Sequence, residues 1–518
     1  MSKKFKFYQS LVTYVLLLST GFKLQSGFKD SPAVSTAANS IAISQTSIAN
    51  QSATTTPNGS TKNISAPGQY YLTGPLNYNP PGGSSTVINI AANDVVLDLA
   101  SYTISSDDSQ ANLTCINIAS GYKNIHILNG RINQMTGKGI NISSGCSLIY
   151  ISDLTINDCD LGGIVATTAN NIFLDNVNIA NCNGNSSNDA VGMFLVDITF
   201  LSAKNCTFNS CVNTLNNGMG VKLVNSSGTT FCNDCNFENC TACHNGTSLI
   251  TGSAYGFRVI GTHTCTFRNC SATDNSVAAL NSYGFSFESG YNNMCYNCLA
   301  ASNKTVNISG TAYGFYLSSA TNHYFENCEA RNQNASVASA ASAYGFYSTA
   351  GTGNSFYKCN AHGNRAGTSS SSIAAGFALE NAETRSTIED SDASANQGGS
   401  GEAYGIKLGQ SSGTSPTFCF VNNNRLMNNF GTTAQYGLKD FSSNSKNLIT
   451  RNQAFAQGPV LRNTICTDTG FMNFMVSYAS AANNINNILV EGDRAELKVF
   501  STAAPLDNLS IFYSEDVS

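Results

Sequence analysis

The sequence predicts an all-β protein in which short parallel strands stack as the coils of a solenoid. The first observation is a Tyr-Gly-Phe motif, seen at Tyr255-Gly256-Phe257, that recurs about every 30 residues. Full or partial copies follow at Tyr283, Tyr313, Tyr344, Gly376, Tyr404 and Tyr436. The second observation is an Asn or Asp followed by Cys, as in Asn269-Cys270, that keeps the same phase. A repeat of this length indicates stacked units, none of which can bury its apolar face alone.

Within each coil the apolar residues alternate with polar ones at a period of two, which is typical of strands. Three such runs are recognisable, and in one coil the residues expected to point inward are Tyr255, Phe257, Val259, Cys265, Phe267, Cys270 and Ala272. Only Arg268 and Asn269 separate the second run from the third, which requires a sharp bend. Asn and Asp tolerate the left-handed backbone of such a bend. Three strands per coil predict a triangular parallel coil.

The triangular coil with its asparagine bend resembles the right-handed parallel β-helix, or pectin-lyase-like, superfamily. The resemblance implies a single-stranded right-handed parallel β-helix of about twelve or thirteen coils over residues 63–470. Alignment on the bend extends the register to Asn129, Asp153, Asn176, Asn205, Asp234, Lys358, Asp390 and Asn422. The superfamily includes lyases, hydrolases, adhesins and phage tailspikes, so the resemblance implies a fold and leaves the function open.

The rest of the chain divides into shorter segments. A basic flank followed by a short apolar run at residues 11–18 predicts a signal peptide over residues 1–26, with an uncleaved anchor as the alternative. Residues 27–62 are rich in Ser, Thr and Ala, which is typical of a linker. Residues 471–518 are expected to cap the last coil. A secreted or cell-surface location follows, with no membrane span beyond the signal.

The composition limits the classes of molecule that the protein is expected to bind. Charged residues make up 11% of the chain, the net charge is -5, and tryptophan is absent. A nucleic-acid-binding protein needs a basic stripe, so nucleic acid is excluded as the expected partner. The expected partner is a polysaccharide or a glycosylated surface, and the oligomeric state is left open.

The eighteen cysteines would suggest a disulfide framework in an exported chain. Their register favours buried free thiols instead, because two sets recur in phase: Cys206, Cys235, Cys270, Cys298, Cys328 and Cys359, and Cys159, Cys182, Cys211 and Cys240. Stacked side chains lie ~4.8 Å apart, whereas a disulfide needs Cβ atoms ~3.8 Å apart. The spacing of Cys232, Cys235, Cys240 and Cys243 also suits a metal site. Because three of these four fit the inward ladder, no metal is expected.

The glycine of the motif, represented by Gly256, is expected to face outward between two inward residues. It would then serve either as a backbone bend or as the floor of a flat groove for a ligand. The tyrosine beside it is expected to lie in the core.

A catalytic site is less clearly indicated, because the polygalacturonase and pectate lyase motifs are not intact. The remaining candidates are charged residues at outward positions around the bend: Glu326, Glu329, Arg331, His362, Glu389 and Asp392. Glu326 and Glu389 should lie two coils apart, roughly 9 to 10 Å, near the upper end of the separation in inverting glycosidases. No cofactor is expected, except that Ca²⁺ is implied if the protein is a lyase.

Outward aromatic residues suggest a binding function. The candidates are Tyr296, Tyr316, Tyr324, Tyr347 and Tyr357, of which Tyr316 and Tyr347 should stack in adjacent coils. Our first hypothesis is an adhesin-like, secreted or surface-displayed protein that binds glycans or host surfaces without catalysis. The alternatives are a polysaccharide lyase or glycoside hydrolase acting on a polyuronide or another polysaccharide, and a structural spacer.

Overall fold

The computed structural model describes residues 40–45, 61–78, 86–107, 111–184, 187–226, 232–247, 252–278, 280–307, 309–335, 340–410, 416–441, 447–455, 475–477 and 510–512. The chain divides into two units, residues 1–41 and 42–518. All but the first residue of the strands described below belong to the second unit. The predicted signal peptide lies outside the described residues, as do most of the predicted linker and cap.

Three parallel sheets form the sides of the coils, and we call their outer surfaces the first, second and third faces. The first face consists of β2 (Lys62–Ile64), β5 (Thr86–Ile90), β8 (Thr114–Ile118), β10 (Ile140–Ile142), β12 (Ile164–Thr167), β14 (Ala190–Val196), β18 (Gly218–Val224), β22 (Ala254–His263), β26 (Ser282–Tyr291), β30 (Thr311–Thr321), β33 (Ser342–Thr349), β36 (Ile373–Glu380), β40 (Glu402–Leu408) and β44 (Ala434–Asp440).

The second face consists of β1 (Ile41–Ile43), β3 (Gly68–Leu72), β6 (Val95–Asp98), β9 (Lys123–Met135), β11 (Ser147–Cys159), β13 (Asn170–Ala180), β15 (Thr199–Lys204), β19 (Asn233–Glu238), β23 (Thr266–Arg268), β27 (Met294–Tyr296), β31 (Tyr324–Glu326), β34 (Ser355–Tyr357), β37 (Thr387–Glu389), β41 (Phe420–Asn422) and β45 (Leu448–Thr450). The long strands β9, β11 and β13 continue around the bend into the third face.

The third face otherwise consists of β4 (Leu76–Asn77), β7 (Thr103–Ser105), β16 (Thr207–Asn209), β20 (Thr241–Cys243), β24 (Ser271–Thr273), β28 (Leu299–Ala301), β32 (Glu329–Arg331), β35 (Asn360–His362), β38 (Asp392–Ser394), β42 (Arg425–Met427) and β46 (Gln453–Phe455). Short parallel ladders form beside it from β17 (Val212–Asn213), β21 (Gly246–Thr247), β25 (Ser276–Val277) and β29 (Lys304–Thr305), and from β39 (Gln397–Gly399) and β43 (Phe430–Gly431). Apart from these, β47 (Met475–Ser477) pairs antiparallel with β48 (Ser510–Phe512).

Each strand pairs with its equivalents one coil before and one coil after. On the first face Phe257 is in register with Phe285, and on the second face Phe267 is in register with Cys295. All of these elements are strands, and the stack has about 12 turns. The chain is therefore a parallel β-helix, and the predicted fold class is confirmed. Among the described residues there is no helix long and apolar enough to cross a membrane.

Sharp bends separate the faces, and each bend contains at least one residue in the left-handed conformation. In one coil these residues are Thr264, Asn269 and Asp274, with φ of 54°, 51° and 55°. The middle bend recurs at Asn129, Asp153, Asn176, Asn205, Asn239, Asn269, Asn297, Asn327, Lys358, Asp390 and Asn423. Its predicted left-handed conformation is confirmed, but Asp234 belongs to the preceding bend and Asn422 lies one residue before its own.

The core is built from columns of apolar side chains, with runs of identical residues in successive coils. Phe257, Phe285 and Phe315 are fully buried and stack with ring centroids 4.9 Å apart at each step. Phe267 of the second face meets the ring of Phe257 edge-on at 5.6 Å. Offset stacks along the column and edge contacts across it are the arrangements that aromatic pairs favour. The predicted inward positions of the phenylalanines are confirmed.

Two further columns lie at the inner corners of the bends. In each, the earlier coils contribute mainly Cys and the later coils mainly Asn. The column after the middle bend is Cys206, Cys240, Cys270, Cys298, Cys328, Cys359, Ser391, Asn424 and Asn452, because the carbonyls up to Ser391 accept from the coil that follows and side-chain amides link the last three residues. The column after the last bend is Cys159, Cys182, Cys211, Asn245, Asn275, Asn303, Gln333, Asn364, Asn396 and Asn429. Cys240 therefore belongs to the first column, and Cys235 to neither, because it follows Asp234 at the preceding bend, opposite Leu201.

The cysteine thiols are free among the described residues, and all are buried except the half-exposed Cys243. Burial raises the pKa of the Cys270 thiol well above its usual range. Its Sγ–H donates to the carbonyl of Phe237 at 3.4 Å, much as the amide of Asn429 donates to Ala393. Cys232, Cys235, Cys240 and Cys243 do not converge, and no group of three or more metal-ligating side chains occurs in the described part of the chain. The prediction of buried free thiols is confirmed for these residues.

The motif glycine and tyrosine face opposite to the prediction. A Cβ added to Gly256 would lie 2.7 Å from the Cβ of Ala272, so the glycine faces inward against the third face. Tyr255 instead packs on the outside with Tyr283, away from the main core. Two consecutive residues, Gly256 and Phe257, thus face inward, and the period of two slips by one at this point. Glycine is required because no side chain fits between the first and third faces.

Candidate functional site

Apart from Tyr316 and Tyr347, the predicted site residues fall on four successive coils on either side of the middle bend. The second-face strands end in a column that reads Arg268, Tyr296, Glu326, Tyr357, Glu389 and Asn422, one residue per coil. The third-face strands carry Glu329, Arg331, His362 and Asp392 at outward positions. We call this group, together with Tyr324, the bend patch.

Glu326 and Glu389 lie two coils apart with Tyr357 between them, a separation of ~9.6 Å by strand spacing. The Tyr324 hydroxyl donates to Glu326 Oε2 at 3.2 Å. The Asn422 amide donates to Glu389 Oε1 at 2.9 Å. Each carboxylate is therefore held by a neutral donor on one side and half-exposed on the other.

The charged residues of the third face are paired with one another. Glu329 Oε1 lies 2.9 Å from His362 Nε2 and 3.4 Å from Arg331 Nη1. Asp392 pairs with Arg425 at 2.6 Å. Pairs this exposed contribute little to stability, so they leave a surface on which charges are balanced locally. Arg425 was not predicted, although its register with Asp392 could have revealed it.

The tyrosines of the bend patch form a discontinuous aromatic row. Tyr296 and Tyr324 have ring centroids 5.9 Å apart. The Arg268 guanidinium lies 4.3 Å from the Tyr296 ring, and Lys358 Nζ lies 4.8 Å from the Tyr357 ring. These rings are half-exposed, and the cations lie beside them. They present flat apolar surface next to the carboxylates.

Tyr316 and Tyr347 lie elsewhere, on the first face. Their rings stack at 5.7 Å with an interplanar angle of 4°, as predicted. Each also meets Tyr313 edge-on, and the Tyr347 hydroxyl donates to Glu380 Oε2 at 3.0 Å. The structure therefore does not bring these two tyrosines together with the bend patch.

Glu380 and Lys407 form an ion pair on the first face that the sequence did not reveal. Their side chains are 5% and 4% exposed. A pair buried this deeply needs further hydrogen bonds to offset its desolvation, and the Tyr347 hydroxyl supplies one. The first face is thus largely a packed surface around Tyr404, which is fully buried.

A second group of outward aromatics on the second face was also missed. His126, Tyr150 and Phe173 occupy the same position in three successive coils, with ring centroids 4.4 and 4.7 Å apart and nearly parallel planes. Burial lowers the pKa of His126, which favours the neutral ring. We call these three residues the aromatic platform. Their register was visible in the sequence, because the strands that hold them are 23 or 24 residues apart.

No protein-family model and no curated protein matches the chain. Among solved structures it is similar to the A-module of a mannuronan C-5 epimerase from Azotobacter vinelandii, at 14% identity over 74% of this chain and 91% of that one, with a TM-score of 0.41. It is also similar to PfbA, a surface adhesin of Streptococcus pneumoniae, at 9% identity over 79% and 89% of the two chains, with a TM-score of 0.33. A tailspike protein of bacteriophage CBA120 matches at 10% identity over 77% and 57%, with a TM-score of 0.36. The assignment as a parallel β-helix rests on the strand register of this chain.

Proposed function

We propose that this parallel β-helix protein is exported to the cell surface or beyond, where it binds glycans through the bend patch. The observation that carries the proposal is the second-face column in which Tyr296, Glu326, Tyr357 and Glu389 alternate at successive coils. Flat aromatic rings can cover the apolar faces of sugar rings, while carboxylates between them accept hydrogen bonds from hydroxyl groups.

The surroundings of Glu326 and Glu389 favour binding of a glycan over its cleavage. Glu326 and Glu389 lie on an open surface with Tyr357 between them, so a sugar above this tyrosine would be bordered by both carboxylates. Glu329 and Asp392 are engaged with cations of their own face. A general acid works best when its pKa is tuned by an enclosing environment, and the patch is half-exposed.

A glycan array on the purified protein tests the proposal, together with a turnover screen on the same polysaccharides. We expect retention of some glycans without release of products. The double variant Tyr324→Ala/Tyr357→Ala should bind about 10- to 100-fold more weakly, because each ring contributes on the order of 1 kcal/mol.

The matched control is Tyr102→Ala, which removes an exposed tyrosine from another part of the stack. The Tyr102→Ala variant should retain the same glycans as the unaltered chain. Turnover that Glu326→Gln or Glu389→Gln abolishes would contradict the binding function and support a lyase or hydrolase. Neither retention nor turnover would leave the structural spacer as the better description.

A further inference from the structure

The second face carries a continuous outward surface that joins the aromatic platform to the bend patch. Its first column runs His126, Tyr150, Phe173, Ser202, Asn236, Thr266, Met294 and Tyr324. The neighbouring column runs Leu128, Ser152, Asp175, Lys204, Glu238, Arg268, Tyr296, Glu326, Tyr357 and Glu389. We call these two columns, together with Asp98 at their start, the second-face strip.

We propose that the aromatic platform is a second glycan-binding site, and that one linear, uncharged polysaccharide lies along the second-face strip across both sites. This inference rests on the proposed function and names the class of ligand. Two aromatic groups lie on the same sheet surface, and in the first column they are separated by three short polar side chains, Ser202, Asn236 and Thr266, and by Met294, which contacts Tyr296. These residues carry no charge, so the first column offers an extended, uncharged ligand a continuous path between the two groups.

The distance between the two sites sets the minimum length of a ligand that can occupy both. Phe173 and Tyr324 are five coils apart in the first column, which corresponds to ~24 Å at the spacing of parallel strands. A ligand that covers everything from His126 to Tyr357 must extend ~38 Å, since eight coil steps separate them. A short oligosaccharide can therefore occupy one site only.

The charge of the strip selects against polyanions. It holds five carboxylates, Asp98, Asp175, Glu238, Glu326 and Glu389, and two cations, Lys204 and Arg268, so its formal charge is -3 with histidine neutral. Lys204 is already paired with Glu238 at 3.1 Å. A polyuronate would meet a surface of net negative charge, whereas a neutral glycan would find acceptors for its hydroxyl groups.

The platform also has the polar partners that a saccharide site needs. Its rings are half-exposed, and Asn124 Oδ1 lies 3.3 Å from His126 Nε2. Beside it in the neighbouring column lie Ser152 and Asp175. The backbone groups of these strands are used in the sheet, so this surface recognises a ligand through side chains alone.

Binding of size-fractionated β-glucan and mannan fragments to the full chain tests the inference. Long fragments that can reach both sites should bind at least about tenfold more tightly than short ones, since the second contact is intramolecular. The double variant Tyr150→Thr/Phe173→Thr should abolish this advantage and leave the affinity for short fragments at the bend patch within about twofold. Threonine is chosen because Thr266 already occupies the same column in a later coil, and thermal unfolding of the variant checks that the stack is intact.

A conservative variant and a charged ligand complete the experiment. Tyr150→Phe keeps the ring and should keep the length dependence. Equal affinity for short and long fragments, an unaltered length dependence in the Thr variant, or tighter binding of a polyuronate of matched length would overturn the inference while the proposed glycan binding stands. Failure of every fragment to bind would overturn both.

Discussion

At the residue scale, His323 is a buried titratable side chain at an inner corner of the stack, where the equivalent residues of the neighbouring coils are neutral asparagines. It occupies the inner corner between Asn293 and Asn354 of the neighbouring coils. The Asn293 amide donates to Nε2 at 2.9 Å, and Nδ1 donates to the Thr321 carbonyl at 3.1 Å. Both ring nitrogens are therefore satisfied only when the imidazole is neutral. Burial lowers its pKa to about 4.

An acid-stability prediction follows from this corner. The folded-state pKa lies below the unfolded value of ~6.5, so the contribution of His323 is fully present above pH ~6.5 and is lost as the pH falls towards 4. The variant His323→Asn, which restores the residue found in neighbouring coils, should lose less stability on acidification, by on the order of 3 kcal/mol at pH 4. Urea unfolding at several pH values measures the difference.

The nearby carboxyl of Glu383 has a different effect on the pH dependence. It is buried, its pKa is raised by desolvation, and it contacts the same corner through Asn354. A raised carboxyl pKa adds stability as the pH falls, so it opposes the effect of His323 in both proteins and cancels in the comparison. The control is His263→Asn, at a half-exposed position. If both variants showed the same pH dependence as the unaltered chain, the account of His323 would be wrong.

At the scale of the element, the inward-facing glycine of each first-face strand lies where there is no space for a side chain. A Cβ at Gly284 would lie 2.7 Å from the carbonyl oxygen of Gly314 and 2.8 Å from the Cβ of Ala300. Both contacts involve backbone or the first side-chain atom, which cannot rotate away. We expect Gly284→Ala to destabilise the protein by about 2 kcal/mol or more.

The matched control is Gly74→Ala, because no atom lies within 4 Å of a Cβ added at Gly74. Thermal unfolding should separate the two variants clearly. Equal midpoints for the two variants would mean that the first and third faces can part without cost, contrary to the close approach of Gly284 and Ala300.

The strands also explain which features the sequence could reveal. Phe257 and Phe267 were predicted correctly, since large apolar side chains at a period of two reveal an inward face directly. Gly256 was not, because a residue without a side chain carries no information about the direction in which it faces. The bends caused the other errors: Asp234 and Asn239 are both left-handed, so an alignment on Asx can slip from one bend to the next.

At the scale of the whole molecule, the site was harder to predict than the fold. The register placed Glu326 and Glu389 two coils apart, as the structure does. It also placed Tyr316 and Tyr347 directly after the inward phenylalanine of the first-face strand, but it did not reveal that their rings pack edge-on against Tyr313. Pairings such as that of Glu380 with Lys407 depend on side-chain reach, which spacing along the chain does not encode.

A coil-deletion prediction follows from the stacking. Tyr291 and Thr321 are equivalent residues on adjacent coils, so removal of residues 292–321 would join two equivalent positions. Because each coil contacts only its neighbours, the shortened chain should fold with the same strand content per residue. Circular dichroism and thermal unfolding measure the outcome.

The comparison is a deletion of about half that segment, residues 292–306, which would bring first-face strands against third-face strands. This chain should not fold cooperatively. A full-coil deletion that behaved no better than the half-coil deletion would show that coupling extends well beyond adjacent coils.

The amide column at the last bend has a consequence for how the chain is assembled. Asn245 donates to Asn275, Asn275 to Asn303, and Asn303 to Gln333, always from the earlier coil to the later. Each of these three asparagines thus directs one side-chain N–H towards the C terminus, while its amide nitrogen also donates to a backbone carbonyl of the preceding coil. During synthesis, which completes N-terminal coils first, a finished coil exposes an amide donor to water until the oxygen of the next coil accepts from it. The amide column thus gives the stack a direction of growth. Each completed coil presents a donor to the coil that is synthesised next.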